Sequence, residues 1–193
     1  MIKRKGSMRL FIYEGNIKKT DTLVREALCI YAAKEGLDIS EETALNAKIE
    51  RTENGKPFFP DIENVHFSVS HSGQMWICLM ADSCVGIDIQ EMKHGRYKEI
   101  ADRYFGPHED HFVALWGDEG FIDLWVRKES IVKYKGSTLA RDIRNEVAVN
   151  GDLKDEMEID GKTVYLETID MGLDVKCAYA CEKKEELCIE ILA

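Results

Sequence analysis

The chain has 193 residues, 45% of them hydrophobic and 32% charged, and its 36 acidic residues against 26 basic ones give a formal net charge of −10. A chain of this length and composition folds as a globular protein without disulfides or metal ions, so a disordered chain is excluded. The acidic balance argues against a nucleic-acid-binding protein, whose phosphate-facing surface is basic.

The predicted elements of the first half alternate without repeats or low-complexity linkers. A strand is expected at 8–14, followed by a helix that Thr20 or Asp21 would cap and that ends at Gly36, because glycine commonly follows the last helical residue. An Asn-Gly pair at 54–55 predicts a turn between two extended segments. Three closely spaced apolar strands are then predicted, at 65–70, 75–81 and 85–90.

The second half is predicted to hold helices and then strands. Helices are expected at 96–104, 108–116 and 121–135. Strands alternate with turns over 144–190. Because each half combines helices with antiparallel strands, the sequence predicts an α+β fold. Its two comparable lobes would span 1–92 and 93–193 as parts of one domain.

Cysteine usage and hydropathy predict a cytoplasmic protein. Only Cys177 and Cys181 have a spacing that suits zinc, and they lie in the strand-like segment VKCAYAC, so buried free thiols are the preferred interpretation. No apolar run approaches the about 18 residues of a membrane span. The first residues are basic but lack the apolar segment of a secretory signal.

The segment VGIDIQ at 85–90 carries the first candidate side chains. Because strand residues alternate between faces, Asp88 and Gln90 would project together on the side of Gly86, which would leave room for a ligand. Their oxygens are hard ligands that suit Mg²⁺. The alternative is a half-exposed strand with a polar outer face, and this segment alone favours that alternative.

Glu129 and Lys133 are the candidates on the next helix. They lie four residues apart in LWVRKESIVK at 124–133, at the border of the apolar stripe of the helix. One interpretation is a surface ion pair that adds little stability. The other is a carboxylate for metal binding or proton transfer beside an ammonium group for phosphate, both at the edge of a cleft.

Two further segments carry polar candidates. FSVSHSG at 67–73 places Ser70 and His71 near a strand end. A Ser/His nucleophile is conceivable, but sequence neighbours rarely meet as nucleophile and base, and no G-x-S-x-G motif is present. Phosphate or ribose binding suits these groups better. Upstream, NGKPFF at 54–59 holds Lys56 beside a turn and is not a Walker loop.

Taken in order, five segments closely resemble the 4′-phosphopantetheinyl transferase superfamily, in its longer single-chain, Sfp-like type. They are NGKPFF, FSVSHSG, VGIDIQ, RYFGPHE and LWVRKESIVKYKG, and they span residues 54–136. The blocks GIDIQ and WVRKES, together with the spacing from Phe105 to Glu109, are the most specific parts of this resemblance.

The resemblance implies a pseudo-dimer of two similar lobes with the active site between them. It implies that the 4′-phosphopantetheine group of coenzyme A is transferred to a serine of an apo acyl or peptidyl carrier protein, as in holo-[acyl-carrier-protein] synthases. Mg²⁺ would be the cofactor, and adenosine 3′,5′-bisphosphate would be released.

The family pattern also implies a role for each matching residue. Asp88 and Glu129 would bind the metal and act in catalysis with Lys133, which would contact the phosphate. Gln90 stands where the type example has a glutamate, so it would reach the metal directly or through water. The other matching residues are Lys56, Pro57, Ser70 and His71, which would hold the nucleotide, and Glu109 of the F-x-x-x-E block.

The basic residues are concentrated in two segments. Residues 1–19 hold six basic side chains against one acidic one, and residues 127–144 hold six against two. Such patches could steer an acidic carrier protein, or they could be an ordinary solvated helix end and a basic terminus. A monomer is expected, since two fused lobes supply the whole cleft. A non-catalytic coenzyme A-binding module and a Ser/His hydrolase stay open as alternative functions.

Overall fold

A computed structural model describes residues 7–17, 19–172 and 174–193 of the chain. Its helices are α1 (Thr20–Glu35), α2 (Glu41–Leu45), α3 (Tyr97–Tyr104), α4 (Pro107–Lys135) and α5 (Leu139–Asp142). Its strands are β1 (Met8–Glu14), β2 (Glu50–Arg51), β3 (Pro57–Phe58), β4 (His66–Ser72), β5 (Met75–Ala81), β6 (Val85–Glu91), β7 (Ala148–Val149), β8 (Asp152–Leu153), β9 (Glu156–Ile159), β10 (Lys162–Asp170), β11 (Val175–Cys181) and β12 (Leu187–Ile191). The predicted α+β class is confirmed.

Two four-stranded sheets form the framework. The first has the order β12-β1-β5-β4, with β12 parallel to β1, and the second has the order β6-β11-β10-β9 with antiparallel neighbours. The chain passes from the first sheet to the second after β5 and returns after β11. An ion pair of 2.7 Å between Lys183 and Asp82 joins these two crossings. Strand β6, which precedes residue 92, lies in the second sheet, and β12 lies in the first. The division into lobes 1–92 and 93–193 stays a prediction.

Each sheet is covered by a helix on one face and packs on the other sheet with its opposite face. Strand β5 shows the consequence, because its alternate residues enter two different cores. Trp76 and Met80 pack with α1, whereas Ile77 and Leu79 pack with β6 and β11. A strand buried on both faces needs a continuous apolar run, which is what MWICLMA supplies.

Helix α4 is the long element of the second sheet's outer face. The helical stretches predicted at 108–116 and 121–135 are both present in α4, which is divided at Gly117, where the backbone leaves the helical region with φ 60° and ψ −141°. At Gly86 of β6, an added Cβ would lie 2.0 Å from the Ser130 carbonyl oxygen and 2.3 Å from the Tyr134 nitrogen. The expectation that Gly86 leaves room for a ligand is therefore wrong, since the backbone of α4 occupies that space.

The two sheets adjoin along β4 and β6, where side chains take the place of a backbone ladder. Three serine hydroxyls of β4 accept hydrogen bonds from backbone N–H groups of β6. The pairs are Ser68 with Ile87 (3.1 Å), Ser70 with Ile89 (3.4 Å) and Ser72 with Glu91 (2.9 Å). This serine seam, as we call it, fixes the register of β4 against β6 and so places the side chains of the two strands relative to each other.

The start of α1 differs from the prediction. Thr20 is its first helical residue and Lys19 is the N-cap, without a side-chain hydrogen bond to the helix, so the capping prediction for Thr20 or Asp21 is wrong. Its end is confirmed, because Gly36 follows in the left-handed region with φ 67°. All six cysteines are free thiols. Within the described ranges, no helix combines the length and the apolar character that crossing a membrane requires.

Candidate functional site

A cleft of about 500 Å³ opens where β4, β6 and α4 meet. Its wall includes six of the residues predicted for the site, which are Ser70, His71, Asp88, Gln90, Glu129 and Lys133. The polar side chains of β4, β6 and α4 therefore lie together in this cleft. The alternation of β6 directs Asp88 and Gln90 to this side, and the four-residue spacing on α4 directs Glu129 and Lys133 to it.

Asp88 is held by two donors at the same oxygen. The Lys133 ammonium group donates to Asp88 Oδ1 at 2.6 Å, and the Ser70 hydroxyl donates to the same atom at 2.7 Å. Lys133 also donates to Ser70 Oγ at 2.9 Å, which closes a triangle of three polar groups. Asp88 and Ser70 are buried, and the side chain of Lys133 is 28% exposed. The triangle therefore presents one cation at the mouth of the cleft.

Glu129 is the second carboxylate of the cleft. It is half-buried, and no hydrogen bond joins its carboxylate to another residue that the structure describes. Burial raises the pKa of Glu129 above its ordinary value, the charge of Asp88 raises it further, and Lys133 opposes both effects. A carboxyl group with these neighbours is suited to accepting a proton or a cation.

Gln90 and His71 occupy the rim. The Gln90 side-chain amide donates to the Glu91 carbonyl at 3.3 Å, which leaves its carbonyl oxygen available for a ligand. His71 is exposed on β4. The sequence analysis did not single out Arg51 and Trp125, which also line the cleft. Trp125 belonged to the predicted apolar stripe, and nothing in the local pattern around Arg51 indicated a site.

A second cavity, of about 250 Å³, adjoins the first and shares Arg51 and Lys133 with it. Lys56 and Pro57 line this cavity, so the predicted residues of the β2–β3 hairpin lie beside the cleft. The Lys56 ammonium group donates to the backbone carbonyls of Tyr134 (2.5 Å) and Val85 (3.3 Å). These bonds fasten the hairpin to the end of α4 and the start of β6.

Glu109 lies away from both cavities. Its carboxylate is completely buried and forms an ion pair of 2.8 Å with Lys128, whose side chain is 1% exposed. It accepts hydrogen bonds from the backbone N–H of Val147 (2.7 Å) and of Gly106 (3.3 Å). Glu109 thus connects the first turn of α4 to the part of α4 that follows Gly117 and to the segment before β7.

The basic segment 127–144 is not the surface patch that the sequence suggested. Arg127 and Lys128 are buried, and Lys135 pairs with Asp142 at 2.7 Å. Arg127, Lys128 and Lys135, three of its six basic side chains, therefore contact groups inside the protein. Of the other basic segment, 1–19, positions 1–6 and 18 lie outside the described residues.

The donor set of the cleft fits a magnesium ion. Mg²⁺ is commonly bound through one or two carboxylates together with waters and substrate phosphates, and all of these ligands are oxygens. Asp88, Glu129 and Gln90 supply two carboxylates and an amide to the lining of the cleft. Among the described residues, no three His, Cys, Asp or Glu side chains lie close enough together to bind one metal ion. A metal ion in this cleft would therefore need further ligands from water or substrate.

Comparison with known proteins identifies the family to which this cleft belongs. Residues 84–182, which include β6, α4 and β11, match the sequence model of the 4′-phosphopantetheinyl transferase superfamily. The chain is a member of this superfamily, and the resemblance inferred from its motifs is confirmed.

Relatives from Bacillus subtilis carry names of the same type. The chain is similar to a 4′-phosphopantetheinyl transferase (31% identity over 70% of the chain), to 4′-phosphopantetheinyl transferase Sfp (32% over 72%) and to 4′-phosphopantetheinyl transferase ffp (37% over 72%). The matched regions cover 63%, 61% and 61% of those relatives' own lengths. The chain thus matches somewhat less than two thirds of each of them.

Proposed function

We propose that the chain transfers the 4′-phosphopantetheine group from coenzyme A to a serine hydroxyl of an apo acyl or peptidyl carrier protein. The observation that carries this proposal is the convergence of Asp88, Glu129 and Lys133 in one cleft, inside the region that matches the superfamily. The reaction is that of a holo-[acyl-carrier-protein] synthase. We place the protein in the cytoplasm as a monomer, and neither nucleic acid nor a membrane is part of its function.

The metal of this proposal is Mg²⁺, held by Asp88 and Glu129, with Gln90 as a further ligand directly or through water. When bound, Mg²⁺ neutralises the diphosphate oxygens of coenzyme A and the charge that develops on the leaving bisphosphate. Lys133, at the mouth of the cleft, supplies a point charge to the transferred phosphoryl group.

Glu129 is the proposed proton acceptor. The carrier serine forms a new bond from its oxygen to phosphorus while the phosphorus–oxygen bond to adenosine 3′,5′-bisphosphate breaks, and the serine proton goes to Glu129 or to a water that it orients. A carboxylate in the wall of the cleft supplies an oxygen that can accept this proton directly or through an ordered water. The nucleophile belongs to the carrier protein, so the chain needs no catalytic serine of its own.

The nucleotide end of coenzyme A is assigned to the adjoining cavity. Lys56 and Pro57, which line that cavity, are proposed to hold it together with His71 at the rim of the first cleft, and Arg51 adds a cation that both cavities share. Ser70 was also predicted to hold the nucleotide. Its hydroxyl already donates to Asp88, which supports a different role that is developed in the next section.

The decisive experiment mixes the chain with coenzyme A, Mg²⁺ and a small panel of apo carrier proteins and follows the carrier mass. Addition of one phosphopantetheine group, lost in excess chelator, supports the proposal. Glu129→Gln is expected to slow transfer strongly, whereas the matched substitution Glu119→Gln, on the same helix but outside the cleft, leaves the rate unchanged. Full turnover in chelator would refute the metal assignment.

The same experiment separates the two alternatives. A non-catalytic module binds coenzyme A without any change in carrier mass. A Ser/His hydrolase is inactivated by serine-directed reagents and needs no metal ion. No serine hydroxyl of the described part of the chain hydrogen-bonds to a histidine, so no observation favours the hydrolase.

A further inference from the structure

The serine seam contains one member that differs from its neighbours. Ser68 and Ser70 are both buried and both accept a backbone N–H of β6. Ser70 alone extends this contact into the cleft, because its hydroxyl also donates to Asp88 Oδ1 and accepts from Lys133. Both serines therefore hold β4 against β6, and of the two, Ser70 also contacts charged side chains of the cleft.

The hydroxyl of Ser70 acts with Lys133 to fix which oxygen of Asp88 remains available. Both donors of the triangle, Ser70 and Lys133, are directed at Oδ1, and Oδ2 receives no hydrogen bond from any residue that the structure describes. A carboxylate fixed through one oxygen cannot rotate freely about its terminal bond. Its second oxygen then has a defined position, and side chains that fix a ligand in this way support metal affinity.

We propose that Ser70 is a positioning residue that holds Asp88 through Oδ1, so that Oδ2 is the atom presented to the divalent cation. This inference rests on the proposed function, because it takes Asp88 as a ligand of that cation. It assigns Ser70 to the carboxylate rather than to the nucleotide. A serine hydroxyl has one hydrogen to donate, and that of Ser70 is donated to Asp88, so it cannot also be donated to a phosphate group.

The test measures the binding of Mg²⁺ alone, by calorimetry and without coenzyme A or carrier protein. Ser70→Ala is expected to weaken Mg²⁺ binding by about 10–100-fold, which is typical when a partner of a metal ligand is removed. Ser68→Ala is the matched control, since it removes the same seam contact without touching Asp88. It is expected to lower the unfolding temperature about as much as Ser70→Ala and to bind Mg²⁺ like the wild type. Ser70→Thr, which keeps a hydroxyl, is expected to retain most of the affinity.

Three results would overturn the inference. Equal Mg²⁺ affinities for Ser70→Ala and the wild type would leave Ser70 with a structural role only. A weaker affinity for coenzyme A with unchanged Mg²⁺ binding would return Ser70 to the nucleotide. A wild type that does not bind Mg²⁺ would refute both this inference and the metal assignment. If instead Ser70→Ala loses Mg²⁺ affinity while no carrier protein is modified, the proposed transfer reaction fails and the positioning role stands.

Discussion

Removing the ammonium group of Lys128 should destabilise the protein strongly, although no cavity of the molecule is affected. Lys128 and Glu109 are 1% and 0% exposed and 2.8 Å apart. Lys128 also donates to the backbone carbonyls of Ile143 (2.6 Å) and Asn145 (2.7 Å). Lys128→Met therefore leaves a carboxylate without its counter-charge and two carbonyls without these donors.

The expected cost follows from these contacts. Breaking a buried ion pair by removing one partner costs about 3–5 kcal/mol. We expect Lys128→Met to lower the free energy of unfolding by about 4 kcal/mol, near the middle of that range. Glu109→Gln keeps an acceptor for the Val147 N–H but loses the charge. The double variant should then cost less than the sum of the single variants, because the second change removes a charge that the first has left unpaired.

Urea unfolding at pH 7, followed by far-ultraviolet circular dichroism, measures these free energies. Lys48→Met is the matched control, since Lys48 pairs with Glu50 at the surface with a 64% exposed side chain, and its stability should equal that of the wild type within error. A cost below about 1 kcal/mol for Lys128→Met, or strict additivity in the double variant, would refute the reasoning.

Four further outcomes are expected. Gly86→Ala should destabilise the protein, because its Cβ would collide with the backbone of α4, and thermal unfolding of this variant against the wild type checks this. His71→Ala should raise the KM for coenzyme A at constant kcat, because a nucleotide contact acts equally in the ground state and the transition state, and a loss confined to kcat would assign His71 to the chemistry. Gln90→Glu should tighten Mg²⁺ binding in calorimetry without coenzyme A, since a carboxylate adds a charge to the donor set, and an unchanged affinity would place Gln90 away from the metal. Burial alone would raise the pKa of Asp142, but bonds from Lys135, Ser137 and Asn145 outweigh it and lower the pKa below 3.8, so Asp142 stabilises the fold fully above that pH and progressively less as the pH falls through the lowered value. Asp142→Asn should therefore be destabilised at pH 7, with a gap to the wild type that narrows below pH 3.8 in urea unfolding.

Patterns confined to one element could be predicted from the sequence. The apolar run at 75–81 indicated the strand β5, and the alternation of β6 placed Asp88 and Gln90 on one side. The spacing of Glu129 and Lys133 placed them together on α4. In each case the period of the element alone decides which side chains share a face.

Features that depend on a distant partner could not be predicted in this way. The serine pattern of β4 looks like an ordinary polar face until β6 is placed beside it. Gly86 was interpreted as space for a ligand, because nothing near it in sequence shows that α4 packs there. Lys128 was counted as surface charge for the same reason, since Glu109 lies 19 positions earlier and can meet it only because α4 is divided at Gly117.

The parallel pairing of β1 with β12 bears on the order in which the molecule can assemble during synthesis. Arg9 of β1 and Glu190 of β12 form a 2.8 Å ion pair across 181 positions of sequence. Because β12 is synthesised long after β1, one edge of β1 has no native neighbour until β12 has left the ribosomal exit tunnel. The nascent chain therefore carries an unpaired strand edge while all the residues between β1 and β12 are made, and during this interval the edge is available to chaperones and to aggregation.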